Sequence, residues 1–124
     1  MAVGEYRANA NGFMVPFAER WNGTSWSVLR IPANPGASPF DNGSFLTGVS
    51  CISPSVCTAV GYFYDTVGGL STLAEVWNGT SWSLEHPPAP GGAHRILGDV
   101  SCVPMGGCTA VGQSGGLTLA DAKP

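Results

Sequence analysis

The chain has 124 residues, a formal net charge of −3 and only 10% charged residues. A length in this range is ordinarily one domain. Without a basic cluster, nucleic acid is excluded as an expected partner, and no apolar run approaches the length of a membrane-spanning helix.

Helix signals are nearly absent, and the apolar stretches are short, alternating or β-branched. In chain order they predict strands over residues 2–7, 13–21, 25–31, 46–52, 56–64, 70–77, 81–86, 96–103, 108–113 and 117–122. Gly (18) and Pro (10) fall between these runs, not in low-complexity tracts, as expected of many turns. Asn22-Gly23 and Asn78-Gly79 predict tight primed hairpin turns, since both residue types tolerate positive φ. Pro-rich links follow at Pro32, Pro35 and Pro39 and again at Pro87, Pro88 and Pro90.

The strands repeat. Trp21-Asn22-Gly23-Thr24-Ser25-Trp26-Ser27 recurs letter for letter from Trp77 to Ser83, preceded each time by Ala-Glu (Ala18-Glu19 and Ala74-Glu75). A second signature alternates with it: Ser50-Cys51 leading to Cys57-Thr58-Ala59-Val60-Gly61, and Ser101-Cys102 leading to Cys108-Thr109-Ala110-Val111-Gly112. Ala2-Val3-Gly4 is a third copy of the Ala-Val-Gly end, and Leu119-Ala120-Asp121-Ala122-Lys123 matches Leu73-Ala74-Glu75-Val76-Trp77. A period of roughly fifty residues with four strand types per unit describes β-propeller blades. The expected division is a partial blade over 1–32, a complete blade over 44–86 and a partial blade over 96–122, within one repeat domain over 1–124. Variation in unit length falls in the links, 32–43 being longer than 87–95.

The pairing of Ala-Glu-x-Trp-Asn-Gly-Thr-Ser-Trp-Ser with Ser-Cys-x5-Cys-Thr-Ala-Val-Gly resembles the tandem repeats of secreted actinobacterial proteins assigned to β-propellers. The resemblance covers nearly the whole chain. It implies an all-β, propeller-type architecture of about two to two and a half four-stranded antiparallel blades per chain. That is too few to close a ring of about four to eight. An open array leaves apolar faces and sheet edges uncovered, so a ring completed by homo-oligomerisation, or by strand exchange, is expected.

Four residue sets are candidates for chemistry. Cys51, Cys57, Cys102 and Cys108 have the wrong spacing for a zinc site of Cys-x2–4-Cys pairs. They predict two structural disulfides, each stapling a turn between strands. Trp21, Trp26, Trp77 and Trp82 are candidate ligand-binding residues. They offer stacking platforms for sugar rings, repeated as in a multivalent lectin, against which stands simple packing across a hairpin. Glu19, Glu75 and Asp121 occupy equivalent positions, but one carboxylate per unit is a poor calcium site. Asn22, Asn42 and Asn78 each begin an N-glycosylation acceptor pattern; at Asn22 and Asn78 the turn itself accounts for the residue. No nucleophile elbow, phosphate loop or acid–base pair is present, and His86 and His94 both lie in a Pro/Gly-rich link.

No catalytic residue, metal or cofactor is therefore expected. The reading is a non-enzymatic, secreted repeat module for binding or scaffolding, its partner another copy of itself. A glycan-binding lectin and a purely architectural assembly or filament subunit are the alternatives. Residues 1–5 do not form a secretory leader, so a mature or partial chain of an extracellular protein is expected.

Overall fold

The structure is a computed structural model that describes residues 1–8, 10, 12, 14–37, 43–85 and 94–123, with the side chains of residues 119, 121 and 123 left aside. It is all-β: β1 (Ala2–Arg7), β2 (Met14–Trp21), β3 (Trp26–Leu29), β4 (Ser44–Ser53), β5 (Val56–Tyr64), β6 (Leu70–Trp77), β7 (Trp82–Glu85), β8 (Arg95–Val103), β9 (Gly107–Ser114) and β10 (Leu117–Lys123). These form three antiparallel sheets in the orders β1-β2-β3, β4-β5-β6-β7 and β10-β9-β8. The strands fall where the alternation places them, with small shifts at their ends. β4 and β8 start earlier than the apolar pattern does, because Ser44 and Arg95 already pair with Phe63 and Ser114. Strand β3 is shorter than expected, since Arg30 and Ile31 leave the ladder. The expected strand positions Phe13 and His86 lie outside the described residues. Among the described residues no strand order closes on itself; the three sheets are an open set.

Strand pairing repeats between units. Val3↔Ala18, Val60↔Ala74 and Val111↔Ala120 are equivalent pairs, as are Gly4↔Phe17, Gly61↔Leu73 and Gly112↔Leu119. Pro16 sits in the central strand of the first sheet without breaking it. Strand β3 pairs only with residues 18–21 of β2, so Pro16 faces no ladder on that side.

The Asn-Gly turns differ from the tight primed form. The strands resume pairing at Trp21↔Trp26 and Trp77↔Trp82, which leaves four-residue loops. Only the glycines take positive φ (98° at Gly23, 96° at Gly79). Each Asn instead uses its side chain: Oδ1 of Asn22 accepts from the backbone N–H of Thr24 and Ser25, both at 2.8 Å, and Asn78 does the same for Thr80 and Ser81, both at 2.9 Å. A side-chain bridge of this kind replaces a left-handed backbone at the asparagine.

Two cores join the sheets. Leu46, Cys57, Ala59, Leu73, Trp77 and Trp82 of the middle sheet bury against Ala18 of the first, flanked by Val3, Leu29 and Ile31. On its opposite face, Val60 and Ala74 bury against Leu97, Val100 and Ala110 of the third sheet. The alternation of strand side chains generates both faces from the same strands: Ala59 looks one way and Val60 the other. Leu73, Leu97 and Val60 are each fully buried, and each such side chain contributes about 1.5–3 kcal/mol over exposure. Polar contacts cross the second boundary as well. Thr47 donates from Oγ1 to Leu97 O at 2.7 Å, and Cys102 N–H donates to Ser50 Oγ at 2.9 Å.

Candidate functional site

Both disulfides form, Cys51–Cys57 and Cys102–Cys108, each closing the hairpin at one end of its sheet, and no described cysteine is free. Cysteine pairs directly opposite each other, Cys51↔Cys57 and Cys102↔Cys108, are the geometric reason. Thr58 of the middle sheet places its hydroxyl 3.4 Å from Cys108 Sγ, so the second staple also touches the sheet before it.

A groove opens beside each disulfide, at the boundary with the preceding sheet. One, of about 520 Å³, is lined by Cys51, Ile52, Pro54 and Cys57 from the middle sheet and by Arg20 and Trp21 from the first. Its counterpart, of about 300 Å³, lies between Cys102, Met105 and Cys108 on one side and Ile52, Val56 and Thr58 on the other. The two share the disulfide wall of the repeat, but the walls that face it come from different repeat positions. Where the first has Arg20 and Trp21, the second has only aliphatic and hydroxyl groups. No polar constellation common to both grooves emerges.

The tryptophans form two pairs of the same geometry. Trp21 and Trp26 have ring centroids 5.6 Å apart and are tilted by 47°; Trp77 and Trp82 are 5.8 Å apart and tilted by 45°. Their surroundings are opposite. Trp77 and Trp82 are 4% and 5% exposed, whereas Trp21 and Trp26 are 47% and 53% exposed. Leu29 and Ile31, where the chain leaves the first sheet, pack against the cluster that holds the buried pair. The exposed pair lies on the face of the first sheet that has no sheet before it. The Trp motif is therefore a packing motif wherever a neighbour is present, and an open aromatic platform only at the end of the stack.

Glu75 shares the face of Leu73 and Trp77 and is 1% exposed. Burial raises its carboxyl from 4.5 to about 7, since desolvation penalises the charged form. Its Oε2 is buried without a hydrogen-bond partner, as are the indole nitrogens of Trp77 and Trp82. Glu19, its counterpart, is only half-buried, and the side chain of Asp121 lies outside the described ones. The three acids are brought into no common cluster: among the described residues no group of three His, Cys, Asp or Glu could hold a metal. Asp65, at the β5–β6 turn, is held below the usual carboxylate range, chiefly by the Gly69 N–H, which it accepts at 2.8 Å. It organises a turn. His94 is exposed immediately before β8, and His86 lies outside the described residues. Asn42 does too, while the other two acceptor-pattern residues, Asn22 and Asn78, are exposed and engaged in their turns.

The residues that reading by motif overlooked are the glycines of Ala-Val-Gly. A Cβ on Gly61 would sit 1.8 Å from Phe45 O, and on Gly112 1.9 Å from Ile96 O, distances no side chain survives. In both sheets the register slips by one residue at this point, between Leu46 and Gly48 and between Leu97 and Asp99. The bulge presses a carbonyl onto the glycine. The threefold recurrence of Ala-Val-Gly was the available signal; its meaning needed the neighbouring strand.

No family model, curated protein or solved structure matches this chain.

Proposed function

We propose that the chain is a non-catalytic, secreted β-propeller-type repeat module that serves binding or scaffolding and joins copies of itself head to tail. One observation carries this reading. Positions buried between sheets inside the chain are bare at its two ends. Val60 is 2% exposed and its equivalent Val111 48%; Ala74 is buried and Ala120 exposed. At the other end, the Trp21–Trp26 face is open where the Trp77–Trp82 face is covered. The face of the third sheet is thus the kind of surface that the first sheet's open face is built to receive. Contacts that repeat head to tail generate rings when the rotation closes.

The end sheets are incomplete by comparison with the middle one. Among the described residues the first sheet has no counterpart of β4 and the third none of β7, whose place in the first sheet is taken by β3, the strand of Leu29. Two disulfides support an oxidising, extracellular setting.

The test is the mass in solution over a range of concentrations. Val111→Lys changes a half-exposed side chain and leaves the internal cores untouched. It is expected to hold the chain monomeric while the parent associates. A parent that remains monomeric throughout contradicts the reading. The lectin alternative now rests on a single site, Trp21–Trp26, because the second pair is too buried to stack on a sugar; titration with oligosaccharides while following tryptophan emission tests it.

A further inference from the structure

We propose that the open edge of β1 is a docking edge for an extended peptide of the inner-strand type, the sequence class represented by Phe45–Ser50 and Ile96–Ser101. Strand β4 lies on β5 with Leu46 opposite Gly61, Gly48 opposite Val60 and Val49 opposite Ala59. Strand β8 lies on β9 with Leu97 opposite Gly112, Asp99 opposite Val111 and Val100 opposite Ala110. In both, one residue after the leucine is skipped, and the carbonyl before the leucine presses on the glycine at a distance that admits no Cβ.

Strand β1 carries the same Ala-Val-Gly in the same register toward its own sheet, with Gly4 opposite Phe17 as Gly61 is opposite Leu73. Its other side pairs with no described strand. Among the described residues the demand for glycine there is milder than at Gly61 or Gly112. The backbone of Gly4 is not left-handed, and a Cβ would meet only the edge of the Phe17 ring, at 3.2 Å. The stringent requirement appears when a bulged strand is laid on the edge. An edge strand also presents a row of unpaired N–H and C=O groups, the ready template for strand addition.

The occupant follows from the two strands that already fill this position. It has an aromatic or β-branched residue followed by Leu, then one skipped residue, then a small or short polar residue opposite Val3 and Val opposite Ala2. Its leucine falls on the same face as Phe17, next to the exposed tryptophan pair. The docked strand would thus rebuild the face that β4 gives the middle sheet. This inference uses the backbone edge rather than the sheet faces, so it stands or falls separately from head-to-tail docking.

A synthetic peptide spanning residues 44–53, with Cys51→Ser, is the probe. Added to the full chain carrying Val111→Lys, which removes face-to-face association, it is expected to bind saturably. Amide exchange in β1 should slow by at least about tenfold, as expected of newly paired edge amides. A scrambled peptide should not bind. Gly4→Val should abolish binding with unchanged far-ultraviolet circular dichroism, and Gly4→Ala, the milder change, should weaken it in the same direction. Failure of the peptide to bind overturns the proposal, as does binding that Gly4→Val and Gly4→Ala leave intact. Binding that protects β10 instead of β1 overturns it equally.

Discussion

At the scale of single residues, Glu75 makes burial measurable. Its carboxyl lies between two sheets, and desolvation lifts it from 4.5 to about 7. The folded protein therefore holds a proton that the unfolded chain has released between these values. The stabilising protonated form is fully present below about pH 4.5 and its contribution is lost as pH rises through about 7. Glu75→Gln mimics the protonated state, so its melting temperature should be insensitive to pH across this window. At pH 8 it should exceed the parent in stability by up to about 3 kcal/mol, since the rise from 4.5 to about 7 is about 2.5 tenfold steps in proton affinity of about 1.4 kcal/mol each. Equal pH profiles for parent and variant would show Glu75 to be hydrated. Gly61 makes the complementary point about space. With Phe45 O only 1.8 Å from where a Cβ would sit, Gly61→Ala must open the β4–β5 ladder and is expected to cost at least about 3 kcal/mol in urea denaturation. Gly4→Ala should cost less than about 1 kcal/mol in the same assay.

Elements carry most of what was legible in advance. The ten strands could be placed because alternation is a property of each strand and the repeat allows each to be read at least twice. The paired cysteines were equally plain, since residues directly opposite across a hairpin meet the distance a disulfide requires. Each of these staples closes a short loop, with a sequence separation of 6. In the chain-entropy model a loop this small is worth about 2 kcal/mol. Cys102→Ser with Cys108→Ser should therefore lower stability by about that amount and raise exchange in the β8–β9 hairpin before that of β5–β6. Uniform loss across all three sheets would mean that the staple acts through the whole stack. What alternation could not supply was the form of the Asn-Gly loops, because side-chain capping by Asn22 and a left-handed backbone at Asn22 use the same two letters. Nor could it separate Trp21 from Trp77. Identical heptapeptides differ about tenfold in exposure only because one has a sheet before it and the other does not.

For the whole molecule, the repeat creates two interfaces of one kind, and the equivalent faces of the first and third sheets are exposed. Cysteine-side residues of one sheet meet the Val and Ala of the sheet before it, twice over. The Ala-Val and Ala-Glu signatures encode this by sending neighbouring side chains to opposite faces. The sequence carries the rule by which the three described sheets stack on one another. The most direct measurement mixes two blocked variants. Val28→Lys closes the first sheet's face at a side chain that is 71% exposed, and Val111→Lys closes the third sheet's face at one that is 48% exposed. Light scattering should find each variant monomeric alone and a dimer in the equimolar mixture, because each retains the face the other lacks. Monomers in the mixture at concentrations where the parent associates, or a variant that dimerises by itself, would contradict head-to-tail stacking.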